Sequence, residues 1–252
     1  MSTNDVTVVL AHGAWADGSS WAKVIEGLKA QGIRSIAAAL PLTTRPDDLA
    51  AIDHAIERAT GDVVVVGHAY AGAVVGGASS DKVKGLVFIT ALAPDEGETV
   101  LDVFGRLPPH PKAPHLAPDS HGLFYLPDEA FANAFAPNAT PAEQDVLRAV
   151  QRPINPACIT VPVERPRWKD LPSWFLVAED DHMILEETQR FMANRMKATI
   201  RAHKVDHTPS VTAAPRRRHH HGGRSDHSRL RGPINEGDRD ARHANRRDAE
   251  QH

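Results

Sequence analysis

The chain has 252 residues, 41% of them hydrophobic and 24% charged, with a formal net charge of -3 and one cysteine. That length and apolar fraction suit one large domain with a real core and exclude wholesale disorder. Cys158 alone can build neither an internal disulfide nor a thiolate metal site, a usage that fits a reducing compartment. No apolar run reaches about 18 residues, and the start MSTNDVTVVL lacks the basic, apolar and cleavage regions of a signal peptide, so a cytoplasmic protein without a membrane span is expected.

Along the chain, short apolar runs alternate with helical periodicity. Val6 to Leu10 reads as a strand, and Trp21, Val24, Ile25 and Leu28 then recur at helical spacing within Ser20 to Gly32. The rhythm repeats with a strand Ser35 to Leu40 and a helix Pro46 to Ala59, then a strand Val63 to Gly67 and a helix Tyr70 to Ala78, then a strand Gly85 to Ala91. It resumes with a strand Ser173 to Ala178, a helix Glu186 to Met196 and a strand Thr199 to Val205. Strands apolar on both faces and separated by helices predict an α/β fold whose parallel sheet of about six strands is covered on both sides. Residues 94–172 hold 14 of the 19 prolines, with helices expected at Pro127 to Phe135 and Pro141 to Gln151. Because this segment leaves the sheet after one strand and returns to it with the next, it reads as an inserted helical cap, and residues 1–215 as one domain. Its expected seat is over the carboxyl ends of the strands, where open α/β sheets bind ligands.

Residues 216–252 are different material. They hold 10 of the 29 Lys and Arg and 6 of the 32 Asp and Glu, leaving 19 basic against 26 acidic residues, a net of -7, on the rest. With Leu230 and Ile234 as their only large apolar residues they are expected to be disordered. If Arg216 to Arg218 use CGN codons, RRRHHH at Arg216 to His221 shifted by one base gives three residues from Ala, Asp, Gly and Val followed by two from Thr and Ile, so the tail reads as a frameshift product, with a natural basic tail or a cloning remnant as alternatives. A final helix over one sheet face is then missing, and self-association is one way of covering the apolar surface it leaves.

The chemistry concentrates at strand ends. Val63 to Val66 run into Gly67-His68-Ala69-Tyr70-Ala71-Gly72, a strand-turn-helix junction of the kind that lifts a nucleophile above a sheet. Here Ala69 stands at the nucleophile position and Ala71 replaces the second elbow glycine. His12-Gly13-Ala14-Trp15 follows the first strand, and the backbone N–H groups of Ala14 and Tyr70 are expected to form an oxyanion hole. Asp181 follows the strand Ser173 to Ala178, and His207 follows Thr199 to Val205, which places nucleophile position, acid and base in chain order. Asp181 is preferred to Asp180 because Ile184, three positions on, re-enters the core. His12, Trp15, Phe124, Tyr125 and Phe131 are the expected substrate-binding residues. The scattered histidines show no metal-ligand spacing, and neither a metal nor an organic cofactor is expected. With 5% aromatic residues there is no stacking platform for nucleic acid, so the expected partner is a small molecule.

VVLAHGAWADGSSWAKVI, VVVVGHAYAGAVV, ALAPDEGETV, LPSWFLVAEDDHMI and VDHTP together resemble the α/β-hydrolase superfamily, in the branch of small esterases, plant methylesterases, hydroxynitrile lyases and methylketone synthases. The resemblance spans residues 5–214. It implies the α/β-hydrolase fold with a helical cap, Asp181 and His207 as acid and base, and Ala69 in place of the family's serine, as in methylketone-synthase-like members. The expected function is therefore action on a small apolar ester or carbonyl compound, with a His-Asp dyad doing lyase- or decarboxylase-like acid-base chemistry rather than serine-esterase turnover. A noncatalytic small-molecule binding protein and an esterase inactivated by an engineered Ser→Ala change are the alternatives.

Overall fold

The computed structural model describes residues 6–213. Its elements in chain order are β1 (Val6–Ala11), α1 (Ala22–Ala30, entered through a 3-10 turn at Gly18–Trp21), β2 (Arg34–Ala38), α2 (Arg45–Glu57), β3 (Asp62–His68), α3 (Ala71–Val75) and β4 (Val83–Ile89). Then come α4 (Val100–Phe104), α5 (Asp128–Ala130, running into a π-helical turn at Phe131–Phe135), α6 (Pro141–Val150), β5 (Ser173–Ala178), α7 (Glu186–Arg195), β6 (Thr199–His203) and α8 (Pro209–Thr212). The six strands form one parallel sheet in the order β2-β1-β3-β4-β5-β6. The order reverses after β2, when the chain returns past β1 to lay down β3, and that switch point opens a crevice at the carboxyl ends of β1 and β3.

Local chemistry explains the helix starts. Thr44 caps α2 by accepting from Asp47 N–H at 3.2 Å, with Pro46 in the first turn and Asp47 and Asp48 at the positive end of the helix dipole. Thr99 with Asp102 and Thr140 with Glu143 close reciprocal capping boxes that start α4 and α6 inside the Pro-rich insertion.

The two sheet faces are covered unequally. One face carries Val9, Val65, Phe88, Phe175 and Val177, all buried against Ile52 and Ile56 of α2, Val74 of α3 and Met192 of α7. The other face carries Val8, Leu10, Val66, Val87, Ile89 and Leu176, packed in part by Trp21 and by Val24, Ile25 and Leu28 of α1. Among the described residues α1 and the single turn α8 cover this second face, and a groove of about 600 Å³ runs beside them over β1, β3, β4 and β5, with Ala213 at its rim. The expected final helix and the expected disorder of residues 216–252 lie outside the described residues.

Candidate active site

The β3–α3 junction is a sharp elbow. Ala69 adopts φ 50°, in the left-handed region, and is fixed there from both sides: its N–H donates to Ile89 O at 3.2 Å, and its carbonyl accepts from Gly72 at 3.1 Å and Leu92 at 2.9 Å. The turn closes because two neighbours lack side chains. A Cβ on Gly72 would run into Leu92 O, and one on Gly13 would sit 2.9 Å from the Ala69 Cβ and 3.0 Å from His68 O. Ala14, which follows Gly13 on the turn after β1, and Tyr70, which follows Ala69, both face the same cavity. Neither backbone N–H has an acceptor among the described residues.

His207 and Asp181 meet beside this elbow. His207 Nδ1 lies 2.9 Å from Asp181 Oδ2, and the two side chains are 2% and 0% exposed. Asp181 is held by three further donors: Met183 N–H at 2.7 Å and Ile184 N–H at 2.9 Å to Oδ1, and Gln189 Nε2 at 3.0 Å to Oδ2. An acceptor so oriented fixes the Nδ1–H tautomer of His207 and leaves the Nε2 lone pair as the ring's free basic site. Asp180 instead points outward, 49% exposed, at 3.5 Å from His182. The Ile184 N–H bond to Asp181 is the local turn that the apolar re-entry of Ile184 signals in the sequence.

Around this pair the structure adds groups that sequence reasoning does not single out. His68 Nε2 donates to the His207 carbonyl at 2.7 Å, and burial, reinforced by the neighbouring His207, drives its pKa down to about 3. It is therefore a neutral strut beneath His207. Asp206 accepts from Thr208 N–H and the Thr212 hydroxyl, and from Asn138 N–H of the insertion at 3.0 Å, tying the histidine loop to the cap. Gln189 also bonds Ala178 N–H and Ile184 O, locking the acid loop to α7. Tyr70 donates its hydroxyl at 2.7 Å to Asp48, which also accepts Leu42 N–H at 2.8 Å and lies 3.7 Å from Cys158 Sγ. Burial raises the pKa of Asp48 and of Tyr70, and pushes the Cys158 thiol up to about 12. His68, Tyr70 and Asp206 lie inside or beside the motifs, but their side-chain partners, the His207 carbonyl, Asp48 and Asn138, are distant in sequence, so only the fold reveals these contacts.

Ala69, Tyr70, Ala14 and His207 share a cavity of about 320 Å³. Residues of the insertion complete it, with Val100, Leu101 and Phe104 of α4 joined by Leu116, Phe124, Ile154 and Ile159, and Met183 and Ile184 close the side near the acid. Among the described residues no Asp, Glu, Lys or Arg lines it; Thr160, Tyr70, Trp15 and His207 bring its only side-chain nitrogen and oxygen atoms. Of the expected substrate-binding residues, Trp15 and Phe124 line the cavity, and Trp15 Nε1 donates to Phe124 O at 2.9 Å, pinning cap to sheet. The other three are placed elsewhere. His12 is buried under the turn with its ring nitrogens bonded to Gly13 O and Leu40 N–H; Phe131 packs against Phe135 at 5.5 Å; Tyr125 is 45% exposed. Apolar patterning alone cannot tell a residue lining a cavity from one filling the core beneath it. Among the described residues no group of three or more His, Cys, Asp or Glu could hold a metal ion, and no helix is long and apolar enough to cross a membrane.

Residues 8–228 match the model of the alpha/beta hydrolase family, and the chain belongs to that family. Solved structures share the fold. A polyneuridine aldehyde esterase superposes with a TM-score of 0.71 at 16% identity, over 82% of this chain and 94% of that one. A pyrethroid hydrolase from Sphingobium faniae JZ-2 gives 0.69 at 22% identity, over 82% and 92%, and a methylesterase from Arabidopsis gives 0.67 at 14%, over 83% and 94%. No curated protein matches the chain.

Proposed function

We propose that the chain acts on a small, neutral, apolar carbonyl or ester compound by general acid-base catalysis. The observation that carries this reading is the ordered His207–Asp181 pair in an apolar cavity that has Ala69 where a nucleophile would stand. Without a hydroxyl at position 69 no acyl-enzyme can form. What remains is a base whose Nε2 can take a proton from the carbon next to a bound carbonyl, while the electron pair moves onto the carbonyl oxygen and the N–H groups of Ala14 and Tyr70 hold the charge. Asp181 stabilises the imidazolium formed on the way. Lyase and decarboxylation steps run through the same enolate. The hydrolytic character of the esterases that share the fold fits the same cavity, with the serine step removed.

The test is deuterium uptake into the methyl group of acetophenone in D2O. Uptake above buffer that disappears in His207→Ala and in Asp181→Asn, and persists in Asp180→Asn, is expected. Because Ala69 also suits a protein that only binds, acetophenone affinity is measured in parallel. Binding that is unchanged by His207→Ala, with no exchange in the parent, would replace the enzyme reading with the binding-protein one.

A further inference from the structure

A second cavity, of about 290 Å³, lies against α2, α3 and the 163–168 segment, and it shares no lining residue with the first. Its distinguishing group is Arg45, which is only 6% exposed yet whose side chain makes no hydrogen bond and no ion pair among the described residues, its Nε being buried without an acceptor there. The acidic groups on the same helix nearest to it are already committed. Asp47 accepts from the hydroxyls of Thr43 and Thr44, and Asp48 from Leu42 and Tyr70. Of the other cations at the cavity, Arg165 is paired with Asp170, and Arg167 has its Nη1 hydrogen-bonded to the carbonyls of Ala78 and Ser79 at 3.0 Å each. Glu164, the one carboxylate among the described residues at the cavity, is exposed and forms no ion pair there. A second orphan donor belongs to the same wall: Trp168 lines the cavity, is 6% exposed, and its Nε1 has no acceptor among the described residues.

A guanidinium taken out of water without a counter-charge is costly, and an anion entering the cavity supplies what it lacks. The fork of Arg matches the two oxygens of a carboxylate, and the indole N–H adds a neutral donor. Among the described residues Arg45 is the cation at the cavity with neither a counter-charge nor a side-chain hydrogen bond, and a single charge on the ligand matches it. Leu49, Pro94 and Val163 line the rest of the cavity and suit an apolar body behind the charge. We infer that this cavity is a binding site for a small monocarboxylate with an apolar body, separate from the acid-base site.

The experiment is calorimetric titration of the full chain with benzoate, beside inorganic phosphate, with melting temperatures measured alongside. Benzoate should bind and raise the melting temperature, and phosphate should bind at least about tenfold more weakly. Arg45→Met should weaken benzoate at least about tenfold, the scale of removing a charge-assisted bidentate pair, without lowering the melting temperature of the free protein, because the lost charge had no partner. Trp168→Phe should weaken benzoate by a smaller factor, and Glu164→Gln should leave its affinity unchanged or tighten it. Benzoate affinity unchanged in Arg45→Met would place the ligand elsewhere and overturn the assignment, as would no binding at all or phosphate binding as tightly as benzoate. A fall in the free protein's melting temperature in Arg45→Met would show a guanidinium already paired and would overturn it equally.

Discussion

At the residue scale, the site rests on polar groups whose partners are all internal. Tyr70 is the sharpest case, because it lines the cavity beside His207 while its hydroxyl satisfies the fully buried Asp48. Tyr70→Phe leaves an Asp48 oxygen with only the Cys158 thiol, at 3.7 Å. A loss of about 1–3 kcal/mol is expected, the cost of an unsatisfied buried acceptor, read from denaturant midpoints at constant m. His68 sets a pH dependence. Its folded pKa of about 3 lies below the ordinary 6.5 because burial disfavours the charged form, so the unfolded chain binds the extra proton between those values. Stability from this group is complete above about pH 6.5 and is lost as pH falls toward 3, at up to about 1.4 kcal/mol per pH unit. His12, lowered by burial in the same direction, adds to the slope. His68→Gln keeps a side-chain donor for the His207 carbonyl, and unfolding curves between pH 4 and 7 should show a flatter slope for that variant; an unchanged slope would mean that His68 does not set the pH dependence. The meeting of Asp181 and His207 is legible in the sequence because each follows a strand at the same end of the sheet. Gln189, Asp206 and Asp48 are not, because a buried carboxylate or amide is defined by partners that meet only in the folded chain.

At the scale of elements, β1, β3, β4 and β5 are visible as runs of Val, Ile, Leu and Phe, and β5 spans Ser173–Ala178, as its pattern predicts. β6 is shorter than the expected Thr199 to Val205, ending at His203, after which Val205 N–H bonds back to His203 O. α3 ends at Val75, earlier than expected, where Gly76 and Gly77 follow; a Cβ on Gly77 would lie 2.8 Å from Leu49. The insertion is legible as an interruption but not in detail. Its first helix, α4, is a five-residue turn begun by a capping box, too short to show a period, yet it supplies three walls of the cavity. Phe124 and Leu116 come from irregular chain and reach the cavity from the cap. Phe124→Ala should therefore weaken acetophenone binding by about tenfold, the scale of removing one aromatic ring from an apolar site. Tyr125→Ala, one position along and exposed, should leave it unchanged, and equal effects of the two would mean that the cap does not line the site.

For the whole molecule, the uneven cover of the sheet matters most. A parallel sheet is normally buried on both faces, and here, among the described residues, the face bearing Val66, Val87, Ile89 and Leu176 has an apolar groove beside α1. A helix burying several large side chains there would add about 1.5–3 kcal/mol for each, against a usual net stability of about 5–15 kcal/mol. Replacing residues 216–252 by their alternative-frame translation is accordingly expected to raise both the melting temperature and the monomer fraction in sedimentation. Equal values for the two chains would refute that consequence. The central claim is that the elbow, the two free N–H groups and the His207–Asp181 pair form a complete acid-base machine from which only a nucleophile is missing. Hydrolysis of 4-nitrophenyl acetate by Ala69→Ser tests it most directly. The predicted result is a gain of at least about 100-fold over the parent, abolished by adding His207→Ala, since elements of such a triad act as a unit. A folded Ala69→Ser protein with no gain would contradict it.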